Sequence, residues 1–157
     1  MKKKRQTKVS EQMVDIGDKK MTRRRAVACA QIKMSPKAMS ALINKKSPKG
    51  DVLKIAKIAG IMAAKATSNI IPLCHPLPIS HVDMDFKIEP KAYCVRITSC
   101  VKCRGRTGVE MEALTAVSIA ALTIYDMMKW MDKGIVIADI KLLEKSGGKS
   151  GYYKRSQ

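Results

Sequence analysis

The longest helical pattern in the chain runs over 106–131, RTGVEMEALTAVSIAALTIYDMMKWM. Met111, Leu114, Val117, Ser118, Ala121, Leu122, Tyr125 and Met128 recur at helical spacing and predict its core stripe. Glu110 and Glu112 sit near its start, Asp126 and Lys129 near its end; packing alone requires none of them. Upstream, Ala26 to Lys33 reads as a strand. Ser35-Pro36 starts a helix, as N-cap and N1, that ends near Asn44. Asp51 caps a second helix whose apolar positions are Val52, Ile55, Ala56, Ala59, Met62, Ala63 and Ala66. Three prolines between Pro72 and Pro78 exclude a helix and any central strand there, and the apolar segment 70–78 is expected to be buried and rigid. Ile79 to Glu89 alternates, with Val82, Met84, Phe86 and Ile88 on one face and His81, Asp83, Asp85 and Lys87 on the other. Tyr93 to Cys103 alternates again, so the two runs form a half-buried hairpin. Gly134 stops the long helix, and Ile135 to Leu143 is the last strand.

Leaving aside one extra helix, the order is β-α-β-β-α-β, the ferredoxin-like α+β pattern. Helices are expected on one face of an antiparallel sheet, and the open face invites a partner subunit. Residues 1–12 are expected to be a flexible basic N-terminus, 13–145 a single ferredoxin-like catalytic domain, and 146–157 a glycine-rich loop and tail.

Composition narrows the class of molecule. The chain has 157 residues and is 46% hydrophobic, enough to bury a core. Its net charge of +18, from 31 Lys and Arg against 13 Asp and Glu, favours polyanionic partners: nucleic acid, nucleotides or phosphorylated metabolites. Aromatics are only 4% of residues, too few for a generous set of base-stacking platforms. Five cysteines, an odd number, argue for a reducing compartment rather than a disulfide scaffold. No signal peptide and no membrane span is read, so the expected location is cytoplasmic.

Several residues carry candidate chemistry, each with a bland alternative. Asp126 and Lys129 share a helix face, as a surface ion pair or as site residues. Glu112 and Asp126 are fourteen residues apart, roughly 21 Å along a helix. They cannot both touch one small reacting centre from the same helix. Either they do different jobs, or a site joins the start of one helix to the end of another chain's helix. His75, fixed between prolines, could donate to phosphate or exchange protons near neutral pH, or be a loop histidine satisfied by backbone. Cys74 reads as packing more than as a nucleophile. Lys49 precedes a helix N-terminus, a favourable anion site or else a solvated basic loop. Lys145 and Lys149 flank glycines that could close over phosphate or belong to a loose tail. Gly148-Lys149-Ser150 is not a Walker A loop, since Leu143 stands where its first glycine is needed. Cys100 and Cys103 could be half of a zinc knuckle, but would point to opposite faces of a strand. A small RNA-binding protein using the sheet as its platform remains the rival class; it would need aromatics on the open face.

Five segments together resemble the MoaC family, the cyclic pyranopterin monophosphate synthases of molybdenum cofactor biosynthesis. They are Lys49-Gly50-Asp51-Val52, Ile71-Pro72-Leu73-Cys74-His75-Pro76-Leu77, Thr107-Gly108-Val109-Glu110-Met111-Glu112-Ala113-Leu114-Thr115-Ala116, Ala121-Leu122-Thr123-Ile124-Tyr125-Asp126-Met127 and Lys145-Ser146-Gly147-Gly148-Lys149-Ser150-Gly151. The resemblance spans about 13–151. It implies a ferredoxin-like fold, a homo-hexamer built as a trimer of dimers, and composite sites at the dimer interface. It implies a lyase-type cyclisation of 3',8-cyclo-7,8-dihydro-GTP, a nucleotide-derived triphosphate, with release of pyrophosphate, and neither a membrane nor a nucleic-acid partner. Lys49, Asp126 and Lys145 match the family's central catalytic positions, with Lys129 and His75 beside them. Leu73, Cys74, His75, Glu110, Met111 and Glu112 match its substrate-binding segments. Arg24 matches a phosphate-binding arginine, although Val27 departs from the family's usual small or basic residue, and Lys149 lies in the matching glycine loop. No metal ligands are implied and no cofactor is required, with magnesium an optional companion of the leaving pyrophosphate.

Overall fold

The computed structural model describes residues 11–156. The expected flexible N-terminus falls almost wholly outside them. β1 spans Thr22–Lys33, four residues longer at its start than its apolar run predicts. The arginines belong to the strand because β3, Cys94–Gly105, pairs with it along its whole length, from Thr22 opposite Gly105 to Lys33 opposite Cys94. Between these strands come α1 (Pro36–Ile43), α2 (Val52–Lys65), the single turn α3 (Thr67–Ile70) and β2 (Ile79–Glu89). Ser35 caps α1 by accepting from the Ala38 amide at 3.3 Å, and Asp51 caps α2 by accepting from the Lys54 amide at 3.2 Å. A 3-10 turn, Pro90–Ala92, and Tyr93 at φ +49 close the β2–β3 hairpin. α4 spans Glu110–Met128 and β4 Val136–Ser146.

The strands are antiparallel in the order β2-β3-β1-β4, the ferredoxin-like topology expected, with helices on one face. A fifth strand, β5 (Tyr153–Lys154), adds to the β4 edge, with Glu144 opposite Lys154 and Lys145 opposite Tyr153. The glycine segment is therefore the turn of a hairpin whose second arm holds Lys145 at a fixed register.

α4 fills the core, but with a different face from the one predicted. Ala113, Ala116, Val117, Ala120, Ala121, Ile124, Met127 and Met128 are buried, while Met111 is 37% and Leu122 53% exposed. Small residues win because α4 packs close to both the sheet and α2. At Gly60 of α2, a Cβ would stand 2.9 Å from the Ala116 carbonyl oxygen and 2.2 Å from the Met84 sulfur. The same logic turns Ile55 and Met62 of α2 outward and Ala56, Gly60 and Ala63 inward. Between α4 and the sheet, the buried Ser99 hydroxyl is satisfied by donating to the Ala113 carbonyl at 2.8 Å. α4 has the length and apolarity of a membrane span, yet more than half of it is core.

The proline segment also differs from expectation. Leu73 is 53% exposed, Pro72, Pro76 and Pro78 are exposed, and only Ile71, Cys74, His75 and Leu77 are partly covered. Its backbone needs few internal partners because it runs along the surface.

On the open face, β1 presents Arg25, Val27, Cys29 and Gln31 and β3 presents Arg96, Thr98, Cys100 and Lys102. This stretch carries charge and thiols but no ring, so the stacking platform of an RNA binder is missing from it. Cys103 is buried on the helix side and Cys100 faces the other way. All five cysteines are free, and no metal-binding cluster occurs among the described residues.

Candidate active site

The candidate residues collect at the two ends of α4. At its C-terminal end, the buried Ser47 hydroxyl donates to the Met127 carbonyl at 3.1 Å, and the Lys49 amide donates to Ser47 Oγ at 3.3 Å. These bonds staple the 47–50 loop to the helix end and set the reach of Lys49. Its Nζ then lies 2.5 Å from Asp126 Oδ2, while Lys129 Nζ lies 2.8 Å from Asp126 Oδ1. Each carboxylate oxygen thus has its own ammonium. Hydrogen bonds from Lys129 first and Lys49 second hold the Asp126 pKa down at about 2, and Asp126 in turn raises that of Lys129. As it stands, Asp126 is an ionised holder of two lysines; it becomes a proton acceptor only when an incoming group displaces one of them. All three side chains are about half exposed and open to such a group. The expected anion site at the start of α2 is not formed by its amides, because Asp51 occupies the cap and pairs with Lys45 at 2.9 Å.

At the N-terminal end of α4, Glu110 Oε1 pairs with Lys145 Nζ at 2.8 Å. Glu110 folds back over Gly108, where a Cβ would stand 1.8 Å from its Oε2. Arg24 spends its guanidinium on backbone, donating to the carbonyls of Gly105 (3.4 Å), Gly147 (3.0 Å) and Arg106 (3.3 Å). It knits the start of α4 to the glycine loop. Gly147 and Gly148 make this possible at φ +101 and +75; a Cβ on Gly148 would fall 1.8 Å from Arg24 Nη1.

Around these residues lies a cleft with two lobes of about 410 Å³ each. One lobe is basic, lined by Arg24, Arg106, Lys145 and Lys149. The other is lined by Leu73, Cys74, His75, Met111 and Glu112. Lys19, Thr107, Gly108 and Glu110 belong to both, so the lobes are continuous. Glu112 is only 4% exposed, and burial, with a smaller push from Glu110, raises its pKa. Burial and Glu112 push the Cys74 thiol up as well, which keeps it a thiol and a poor nucleophile.

Lys145, Lys149, Arg24, His75, Leu73, Cys74, Glu110, Met111 and Glu112 therefore meet in one cleft, and Lys49, Asp126 and Lys129 form a separate cluster at the far end of the same helix. Lys19 and Arg106 were missed as cleft residues. Lys19 lies in no periodic segment and Arg106 precedes the helix proper, so the fold alone brings them in; Arg106 is anchored by donating to the Gly17 carbonyl at 2.6 Å.

The MoaC family model matches residues 13–148, which takes in both clusters except Lys149, one residue beyond the match. The chain belongs to the MoaC family. Among its relatives, a cyclic pyranopterin monophosphate synthase of Chloroflexus aurantiacus is 53% identical over 143 residues, covering 91% of this chain and 88% of that protein. One from Nostoc sp. is 54% identical over 142 residues, covering 90% and 84%. One from Peptoclostridium acidaminophilum is 54% identical over 143 residues, covering 91% and 90%. The MoaC-family chain described here thus keeps both ends of α4, with the lysine–acid pairs at each, inside its matched region.

Proposed function

We propose that this chain converts (8S)-3',8-cyclo-7,8-dihydroguanosine 5'-triphosphate to cyclic pyranopterin monophosphate, with release of pyrophosphate, as a step of molybdenum cofactor biosynthesis. The observation that carries the proposal is the division of the candidate residues between the two ends of one helix, together with the two-lobed cleft at one of them. A substrate with a triphosphate at one end and a neutral fused ring at the other fits a cleft that is basic in one lobe and partly apolar in the other. Lys149, Lys145, Lys19 and Arg106 meet the phosphates. Leu73, Cys74, His75 and Met111 line the ring's lobe, and Glu112 supplies a carboxyl whose raised pKa suits proton exchange near neutrality.

Completing such a site requires Lys49, Asp126 and Lys129 from a second chain, because those of the same chain lie roughly 21 Å away along α4. The active form is then a dimer with the start of one α4 facing the end of its partner's, repeated in a homo-hexamer. In the chemistry, ring opening and reclosure move protons through the lysines and Glu112. Cyclisation forms a bond from a ribose-derived oxygen to the α-phosphorus and breaks the bond to the bridging oxygen that leaves with pyrophosphate. Lysine ammoniums offset the charge that develops there. Magnesium can accompany the departing pyrophosphate but has no dedicated ligand set among the described residues. Five free thiols suit a cytoplasmic enzyme.

The test is complementation. Asp126→Asn and Lys145→Ala chains are each expected to be inactive in pyrophosphate release. Unfolded and refolded together, they should regain turnover in the mixed oligomers, where one site in a heterodimer carries neither substitution. Mixed oligomers that form but stay inactive would overturn the shared site, and a wild-type chain that releases no pyrophosphate would overturn the activity.

A further inference from the structure

The cleft does not absorb all of the positive charge. On β1, Ala26, Ala28, Ala30 and Ile32 face the helices, so Arg23 and Arg25 face away from them. In the register of β1 and β3, Arg23 stands directly opposite Arg104 and Arg25 directly opposite Lys102. Two successive same-face pairs of like charge repel each other. Of the four, only Arg25 meets an acid, Glu144 at 2.8 Å. Among the described residues, none of Arg23, Lys102 and Arg104 has a carboxylate within 4.0 Å. These four side chains line a cavity of about 460 Å³, together with Ser80, which is held there by donating to the Lys102 carbonyl at 3.0 Å.

We propose that this cavity is a second anion site, one that takes a condensed phosphate such as pyrophosphate. A cavity of this size accommodates a small molecule, not a helix or duplex. Its lining offers the guanidinium forks of Arg23 and Arg104 and the Lys102 ammonium, which suit phosphate oxygens, and no aromatic ring on which a base could stack. It also shares Arg24, Arg25 and Ser146 with the basic lobe of the cleft. The two anion sites are therefore neighbours. In the cell the ligand is either the triphosphate tail arriving or the pyrophosphate leaving; that assignment alone rests on the proposed function.

The binding experiment uses the full-length assembled protein, inorganic pyrophosphate and isothermal titration calorimetry. Wild type is expected to bind two pyrophosphates per chain. A Lys102→Gln/Arg104→Gln variant should lose one of them, with affinity at that site weakened by at least about tenfold. Its melting temperature without ligand should hold or rise, because the repulsion across the strands is relieved. A Lys149→Ala variant should lose the other pyrophosphate and keep this one. Turnover separates the two sources. If pyrophosphate inhibits the double variant less while kcat/KM holds, the site serves the leaving product; if kcat/KM falls and loses salt dependence, it serves the arriving substrate. Equal stoichiometry and affinity in wild type and double variant overturn the site. So does an RNA oligonucleotide whose binding the double variant loses while its pyrophosphate binding is unchanged. A wild-type chain without synthase turnover would refute the proposed function and leave the calorimetric result intact.

Discussion

Replacing Glu112 with Gln isolates the cost of a buried carboxylate. The side chain is 4% exposed, and burial raises its pKa above the ordinary 4.5. Glutamine keeps the shape and removes the charge. A carboxyl whose folded pKa lies above its unfolded one binds its proton more tightly in the folded state. Its contribution to stability is fully present below the unfolded value and is lost as pH rises through the folded one. Beyond that point the wild-type chain must hold a desolvated carboxylate, and the glutamine variant never does. Glu112→Gln should therefore match wild type at about pH 4 and exceed it at about pH 8. Each tenfold change in proton affinity is worth about 1.4 kcal/mol. For a domain of this length, 1 kcal/mol moves Tm by roughly 2–4 °C. Calorimetric melts across that pH range resolve such a difference. Turnover should fall in the same variant, by about 10²–10⁴-fold if Glu112 exchanges a proton with the substrate. A variant less stable than wild type at the higher pH would refute the reasoning, because it would mean that cations already compensate the charged carboxylate in the folded protein.

Other substitutions test the remaining contacts. Asp126→Asn should lower turnover by about 10²–10⁴-fold with substrate binding retained, measured by pyrophosphate release and equilibrium dialysis; Lys49→Ala should do the same. The Asp126 pKa, lowered to about 2, means that its ion pairs are present above the ordinary 3.8 and are lost only as pH falls through about 2. A carboxyl NMR titration should accordingly show no Asp126 event above about pH 4. Gly148→Ala puts a Cβ against Arg24 at φ +75 and should cost about 1–3 kcal/mol in urea unfolding, with weakened binding in the basic lobe. Gly60→Ala should cost about 1–3 kcal/mol in overpacking, offset by roughly 1 kcal/mol of helix propensity, so its urea midpoint should fall modestly.

The fold was legible where period and punctuation agreed. Alternation along β2 and β3, Ser35-Pro36 and Asp51 as caps, and the order of elements all led to the observed sheet. Reading failed where bulk was taken for burial. Where α4 and α2 approach each other, alanines and Gly60 face inward because the close spacing favours small residues, and Ile55, Ile58 and Leu122 turn out. The arginines of β1 hid four residues of strand, since strand pairing is decided by the neighbour and not by the local sequence. β5 was missed for the same reason: a two-residue strand has no period of its own. For the site, the spacing of Glu112 and Asp126 correctly separated two clusters, because helix rise is a fixed length. The staple from Ser47 to Met127 was invisible, because only the tertiary fold brings a loop serine to a helix end.

The arrangement of charge explains why so basic a chain still spends acids in its clusters. Lys49 and Lys129 share Asp126, and Lys145 is paired with Glu110. These lysines contribute little net field; an acid fixes where each ammonium stands, which positions a charge that must act at one atom. Lys149, in the glycine loop, and Lys19, beside it in the cleft, have no carboxylate within 4.0 Å among the described residues. Such cations draw a polyanion in without fixing its reacting atom. Raising salt should therefore weaken substrate capture, which depends on unpaired surface charge, more than it slows the bound substrate's turnover, which depends on the paired lysines. Within the proposed function, KM should rise with ionic strength while kcat stays nearly constant. A kcat that falls in step with the rise in KM would mean that the paired lysines are as exposed to screening as the free ones, and the division of labour would not hold.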